Sequence, residues 1–195
     1  NAFRQQGREG VRDVVEGYYS VTVHFDPLKV DIKGVIAGLQ SELSRVCSLA
    51  DRTTTRRCVT VPVCYGGEYG PDLDVVADFA DCKPSDVIHM HASPRYRVYM
   101  LGFLPGFAYM GSVPRPLGVP RRDTPRLIVP SGSVGIAGRQ TGVYPIEAPG
   151  GWQLVGRTPL AIFNLEKAEP FLFRPGDEVI FEPITPKRFK ELREE

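Results

Sequence analysis

An excess of charge of one sign, paired cysteines and clustered histidines are all missing from this chain. Among its 195 residues, 24 Lys and Arg stand against 23 Asp and Glu, a formal net charge of +1. That balance gives no electrostatic argument for nucleic acid or an anionic membrane as the main partner. No apolar run reaches the length of a membrane span, and the opening N-A-F-R-Q-Q-G-R-E-G has no signal-peptide apolar core. The four cysteines, Cys47, Cys58, Cys64 and Cys82, form no C-x-x-C pair and have no histidine at zinc-like spacing. Isolated thiols fit a reducing compartment, so the cytoplasm is the expected location. Of the three histidines, His24 lies in a strand facing away from its apolar side. His89 and His91 stand two apart on a helix and point to different faces, so no metal site is expected. No G-x-S-x-G elbow and no Ser/His/Asp order is readable, and no G-K-[ST] follows the glycine-rich stretch, which excludes a phosphate loop there.

What is present is enough apolar residue, 42%, to form a core, in a length that suits one compound unit or two small domains. The chain changes character near residue 92. Before it, strand and helix signals alternate. Val11 to Glu16 and Tyr18 to Phe25 read as strands, with Tyr19, Val21, Val23 and Phe25 on one face. From Asp31, a plausible N-cap, Ile32, Val35, Ile36, Leu39, Leu43 and Val46 recur at helical spacing. Val59 to Val63 reads as a strand, and Pro71 and Pro84 open two short helices. These signals suggest a small N-terminal α/β domain over 1–91.

After residue 92 helices nearly vanish, and eleven of the 20 glycines fall between Gly102 and Gly156. Tyr96 to Leu101, Leu127 to Val129, Ser133 to Ala137, Val143 to Ile146, Trp152 to Val155, Leu160 to Phe163 and Glu178 to Glu182 read as short strands. Such punctuation points to a β-barrel or sandwich over 92–195, within an α+β chain. The closing K-R-F-K-E-L-R-E-E reads as a charged terminal helix with a solvated face.

Three stretches carry candidate chemistry. In G-F-L-P-G-F-A-Y-M-G the aromatics Phe103, Phe107 and Tyr109 sit in what reads as a loop, which either plugs a barrel end or forms a pocket wall against a flat ligand. P-R-R-D-T-P-R places three arginines between prolines. Arg126 leads into an apolar strand and is a candidate for bidentate recognition of carboxylate or phosphate, with a scattered surface arginine as the alternative. The third stretch runs from Pro130 to Arg157 and offers Ser131, Ser133, Gln140, Thr141, Tyr144, Trp152, Gln153 and Arg157. Neutral donors and open backbone N–H groups suit orienting an amide, ureido or carboxylate group, while nothing there titrates near neutrality to serve as a general base. Tight barrel corners are the plainer alternative.

Read together, Y-R-V-Y-M-L-G-F-L-P-G-F-A-Y-M-G and P-R-R-D-T-P-R-L-I-V-P-S-G-S-V-G-I-A-G-R-Q-T-G-V-Y-P-I-E-A-P-G-G-W-Q-L-V-G-R-T-P resemble the family of the B component of 5-oxoprolinase, also called allophanate hydrolase subunit 1. That family includes a bacterial histidine-kinase inhibitor and is similar to one half of the carboxyltransferase domain of urea carboxylase. The resemblance implies a small N-terminal α/β domain, a C-terminal cyclophilin-like β-barrel, and a companion protein, the C component of 5-oxoprolinase. With the A component, the assembly opens 5-oxoproline to glutamate using ATP, with no membrane or nucleic acid involved. It also implies that this chain enters at the tail of a helix that follows an extra first strand in the family. The candidate ligand-binding residues are Phe103, Phe107, Tyr109, Arg126, Ser133, Gln140, Thr141, Tyr144, Trp152, Gln153 and Arg157; no catalytic residue is assigned. Two other readings stay open: a regulator of a histidine kinase, and half of a biotin-dependent carboxyltransferase whose biotin carrier lies elsewhere.

Overall fold

The structure is a computed structural model that describes residues 10–49 and 56–194. The helical tail expected before Gly10, the Cys47 side chain and Glu195 lie outside the described residues. By contacts the chain divides into two units, Asn1–Thr55 and Arg56–Glu195.

In the first unit, alternating apolar residues form β1 (Val11–Glu16) and β2 (Val21–Phe25), paired antiparallel. The turn between them is closed by the Gly17 N–H donating to the Ser20 carbonyl at 2.7 Å. The strand expected from Tyr18 therefore begins at Val21, and Tyr19, expected on its apolar face, is 93% exposed. After Asp31, whose carbonyl accepts the Val35 N–H at 3.1 Å, α1 (Ile32–Leu49) turns Val35 and Leu39 toward Val14, Val23 and Phe25. The rest of its stripe, Ile32, Ile36 and Leu43, is exposed.

The second unit begins with β3 (Cys58–Tyr65), α2 (Leu73–Phe79) and α3 (Pro84–Ala92). It continues through β4 (Tyr96–Leu101), β5 (Ala108–Gly111), β6 (Arg126–Val129), β7 (Ser133–Ala137) and β8 (Gln140–Val143). The last elements are β9 (Ala148–Gly150), β10 (Gln153–Arg157), β11 (Glu178–Pro183) and α4 (Pro186–Glu194). Seven strands close a barrel in the order β10-β3-β11-β4-β5-β8-β7, while β6 and β9 form a separate two-stranded ribbon. The barrel is filled by aliphatic, thioether and aromatic side chains, among them Val61, Val63, Val98, Met110, Ile136, Val143, Val155 and Phe181. Each such side chain, fully buried, contributes about 1.5–3 kcal/mol of transfer free energy.

The expected barrel is present, but its boundary differs. The sequence placed the division at residues 91/92; contacts place it after Thr55. The reason is β3, which pairs parallel with β11 and antiparallel with β10, so a strand far back in the chain completes the barrel. Leu73, Val76 and Ala77 of α2 and Val87 of α3 share the same core. Parallel pairing over such a sequence separation leaves no local signal. Three local readings also change. Ala108–Gly111 is strand β5 rather than loop, and the strand expected over Val143–Ile146 is β8, ending at Val143. Leu160 to Phe163 is no strand and holds only an isolated bridge from Phe163 to Phe171. The charged face expected of α4 is exposed, while Phe189 on its other side is buried, its ring 4.6 Å from that of Tyr69.

Candidate functional site

The β4–β5 hairpin carries the first part of the site. Gly102 N–H donates to the Phe107 carbonyl, and Phe107 N–H to the Leu104 carbonyl, both at 3.0 Å, which folds G-F-L-P-G-F into a tight loop. Phe103 sits at its tip with φ of 73°, a left-handed conformation rare for an aromatic residue, and 64% exposed. Phe107, fully buried, is the hub of an aromatic cluster. Its ring meets Tyr109 at 4.9 Å, Tyr144 at 5.2 Å, Trp152 at 5.4 Å and Phe103 at 5.7 Å, mostly edge to face.

These rings line a cleft of about 260 Å³, completed by Arg121, Pro125, Pro149, Gly150 and Gly151. Gly150 is required there: a Cβ on it would lie 2.3 Å from the Tyr144 hydroxyl. Burial raises the pKa of both phenols, Tyr109 and Tyr144. A hydrogen bond from the Trp152 backbone offsets part of the rise at Tyr144, and the Arg121 charge works against it at both. Arg121 is exposed and has no carboxylate within ion-pair distance among the described residues. The cleft thus offers aromatic faces, two protonated phenols and one guanidinium. Its lining contains no carboxylate, imidazole or thiol. It can stack on and orient a flat, anionic ligand, and it holds no group suited to removing a proton at neutral pH.

Of the sequence candidates, Phe103, Phe107, Tyr109, Tyr144 and Trp152 converge here. The others do not. Arg126 is committed elsewhere: its fork binds Asp72 at 2.7 and 2.8 Å, beside Arg122 at 3.1 Å. Asp72, whose side chain is 3% exposed, also accepts the Leu154 N–H at 2.7 Å. Sequence reading missed this carboxylate; its signal was G-P-D at the start of an apolar helix, easily taken for a cap. Ser133 is buried in β7, and Gln140 is half-buried in β8. Gln153 donates to the Pro120 carbonyl at 3.3 Å, while its Oε1 is buried with no partner among the described residues. Arg157 donates through Nε to the Ser131 carbonyl at 2.8 Å.

Thr141 belongs to a second buried network that sequence reading also missed. His91, fully buried on α3, lies 2.8 Å from the Tyr65 hydroxyl through Nδ1 and 2.9 Å from Thr141 Oγ1 through Nε2. Thr141 Oγ1 donates to the Gly135 carbonyl at 3.0 Å, so its oxygen accepts from His91 Nε2–H. Nδ1 then accepts the Tyr65 proton, and the chain Tyr65–His91–Thr141–Gly135 uses every donor in one direction. Burial pushes the His91 pKa down to about 3. The imidazole is a neutral structural link. The expectation that His89 and His91 point to different faces holds, since His89 is exposed. No group of His, Cys, Asp or Glu among the described residues is arranged to hold a metal ion.

The pattern of the carboxyltransferase domain, subdomain C and D, matches residues 1–173. The chain belongs to this family. It is 43% identical to the B component of 5-oxoprolinase from Bacillus subtilis over 98% of this chain and 83% of that protein. It is 45% identical to the corresponding 5-oxoprolinase component of Haemophilus influenzae over 90% of this chain and 81% of that one. Among solved structures, a conserved uncharacterized protein from Pyrococcus horikoshii superposes with a TM-score of 0.66 at 44% identity, covering 96% of this chain and 85% of its own. No helix among the described residues is long and apolar enough to cross a membrane.

Proposed function

We propose that this chain is the B component of an ATP-dependent 5-oxoprolinase, acting with the companion C component and with the A component to open 5-oxoproline to glutamate. The observation that carries this reading is an aromatic cleft with one free guanidinium and no base, in a chain similar over nearly its whole length to proteins named as one component of that enzyme. In the cleft, Arg121 pairs with the substrate carboxylate, the accessible Phe103 and Tyr109 rings pack on the lactam over the buried Phe107 and Trp152, and the Tyr109 hydroxyl hydrogen-bonds its amide. The proton-transfer groups come from the companion proteins, so the isolated chain binds but does not turn over. One guanidinium and two phenols do not suit a triphosphate, so ATP is not assigned to this cleft. The three described cysteines are free thiols, which supports a reducing, cytoplasmic setting.

Trp152, the single tryptophan, lines the cleft and reports on it. Titrating the isolated chain with 5-oxoproline is expected to change its fluorescence saturably, with no glutamate formed. Co-expression with the A and C components is expected to give ATP-dependent glutamate production. A flat titration, or turnover by the purified chain alone, rejects this assignment of roles. The family's carboxyltransferase description supports the biotin-dependent reading as a second arm. Carboxyl transfer to urea from a carboxylated biotin carrier, without 5-oxoprolinase activity, would establish that one instead.

A further inference from the structure

A different cavity lies on the side of the barrel where α4 packs. It measures about 190 Å³ and is lined by Ser131, Arg157, Thr158, Phe189 and Arg193, with the Pro159–Ala161 backbone closing it. Its only charged lining groups are the two arginines. Arg157 comes from the end of β10, and its orientation is fixed because Nε donates to the Ser131 carbonyl. That leaves its two terminal nitrogens without a partner among the described residues. Arg193, from the last turn of α4, has no carboxylate within 4.0 Å among the described residues. Burial and then the Arg193 charge lower the Arg157 pKa, and Tyr69 and Glu68 offset part of that fall. Thr158 accepts the Leu160 N–H through Oγ1, which leaves its hydroxyl proton free to donate into the same space. The Ser131 hydroxyl is spent on the Pro145 carbonyl. Carboxylates are near but outside: Glu68 and Glu194 line an adjoining cavity of about 490 Å³ that shares Arg157, Phe189 and Arg193 and adds Lys190.

Two guanidinium groups line this cavity while the neighbouring carboxylates, Glu68 and Glu194, lie outside it, so an oxyanion placed here meets both cations and uses the fixed fork of Arg157. We propose that Arg157, Arg193 and the Thr158 hydroxyl bind a phosphoryl group in the cavity between β10 and α4. The group is supplied either as free phosphate or as the phosphoryl end of a nucleotide. This inference does not depend on the 5-oxoproline assignment, because no residue of the aromatic cleft takes part.

The test uses the whole chain at low ionic strength, with inorganic phosphate as the probe in isothermal titration calorimetry. Saturable binding at one site is expected, weakening as salt is raised. Arg193→Ala, at an exposed position, should leave the thermal midpoint unchanged and weaken phosphate roughly tenfold or more, the size of one charged hydrogen-bonding group. Lys187→Ala on the same helix removes one positive charge outside the cavity and should leave binding unchanged. Competition by ADP identifies a nucleotide as the source, and phosphate binding that ADP does not affect identifies the free ion. No saturation, wild-type affinity in Arg193→Ala, equal weakening in Lys187→Ala, or acetate binding as tightly as phosphate would each overturn the proposal.

Discussion

Three arginines within six residues, Arg121 and Arg122 in a loop and Arg126 at the start of β6, meet two different fates. Arg122 and Arg126 close on Asp72, a carboxylate only 3% exposed that also takes the Leu154 N–H. Arg121 turns to the aromatic cleft and has no carboxylate partner among the described residues. One region is a closed cluster of two guanidinium groups on one buried carboxylate; the other is an open wall of rings with one cation. A buried carboxylate held by three donors fixes the loop against α2, and that fixation positions Arg121, Pro125 and Gly151 at the cleft. The shape of the cleft therefore rests on a structural ion cluster beside it that is not part of its lining.

The strongest way to break this comparison is to remove the charge at its centre. Asp72→Asn keeps the shape but leaves two guanidinium groups facing a neutral amide. Removing one partner of a buried pair costs about 3–5 kcal/mol, and the lower end applies because both arginines keep some contact with water. Denaturant unfolding should show a loss of about 3 kcal/mol. A loss under about 1 kcal/mol, the size of a surface pair, would mean that the cluster is not structural.

The His91 network sharpens the contrast from the other side, as a buried polar centre stable only when neutral. The folded pKa of about 3 lies below the unfolded value near 6.5. Between these values the unfolded chain binds a proton that the folded chain refuses, so stability falls as pH drops from about 6.5 and is constant above it. At pH 5 the loss relative to pH 7.5 is on the order of 2 kcal/mol. His91→Gln, whose amide can accept from Tyr65 and donate to Thr141, should flatten that pH dependence. A wild-type profile that stays flat between pH 7 and 5 would show that the imidazole is not held neutral.

How much of this was legible in the sequence follows from the range of each interaction. The β4 and β7 strands and α2 and α3 rest on local periodicity and helix-opening prolines, and they were readable. The aromatic half of the site was readable as well, because Phe103, Phe107, Tyr109, Tyr144 and Trp152 lie in two dense segments that the barrel brings together. The membership of β3 was not, since its partner β11 lies at the far end of the chain. Asp72 and His91 were missed for the same reason: each looks ordinary among its neighbours, and its partners stand 50 or more residues away for Arg122, Arg126 and Thr141. Arg126 was read as a ligand-holding group because its fork was visible and its acceptor was not.

The finest test separates the arginines by what each one moves. Arg126→Ala should lower stability by about 1–2 kcal/mol, because it removes a two-pronged bond to a buried carboxylate while Arg122 and the Leu154 N–H remain. The folded fraction should still bind 5-oxoproline as the wild type does. Arg126→Lys should recover only part of the stability, since an ammonium cannot reproduce both bonds. Arg121→Ala should do the reverse. Its guanidinium is exposed and has no carboxylate partner among the described residues, so the thermal midpoint should hold, while 5-oxoproline binding followed by Trp152 fluorescence weakens roughly fivefold to tenfold. If Arg126→Ala weakens binding at constant stability, the anion is held by Arg126 after all and the Asp72 pairing gives way when ligand enters. If Arg121→Ala lowers the midpoint and leaves binding intact, Arg121 is a structural residue and the carboxylate is held elsewhere. The two variants measured together decide which arginine faces the ligand, because each hypothesis predicts opposite signs in the two readouts.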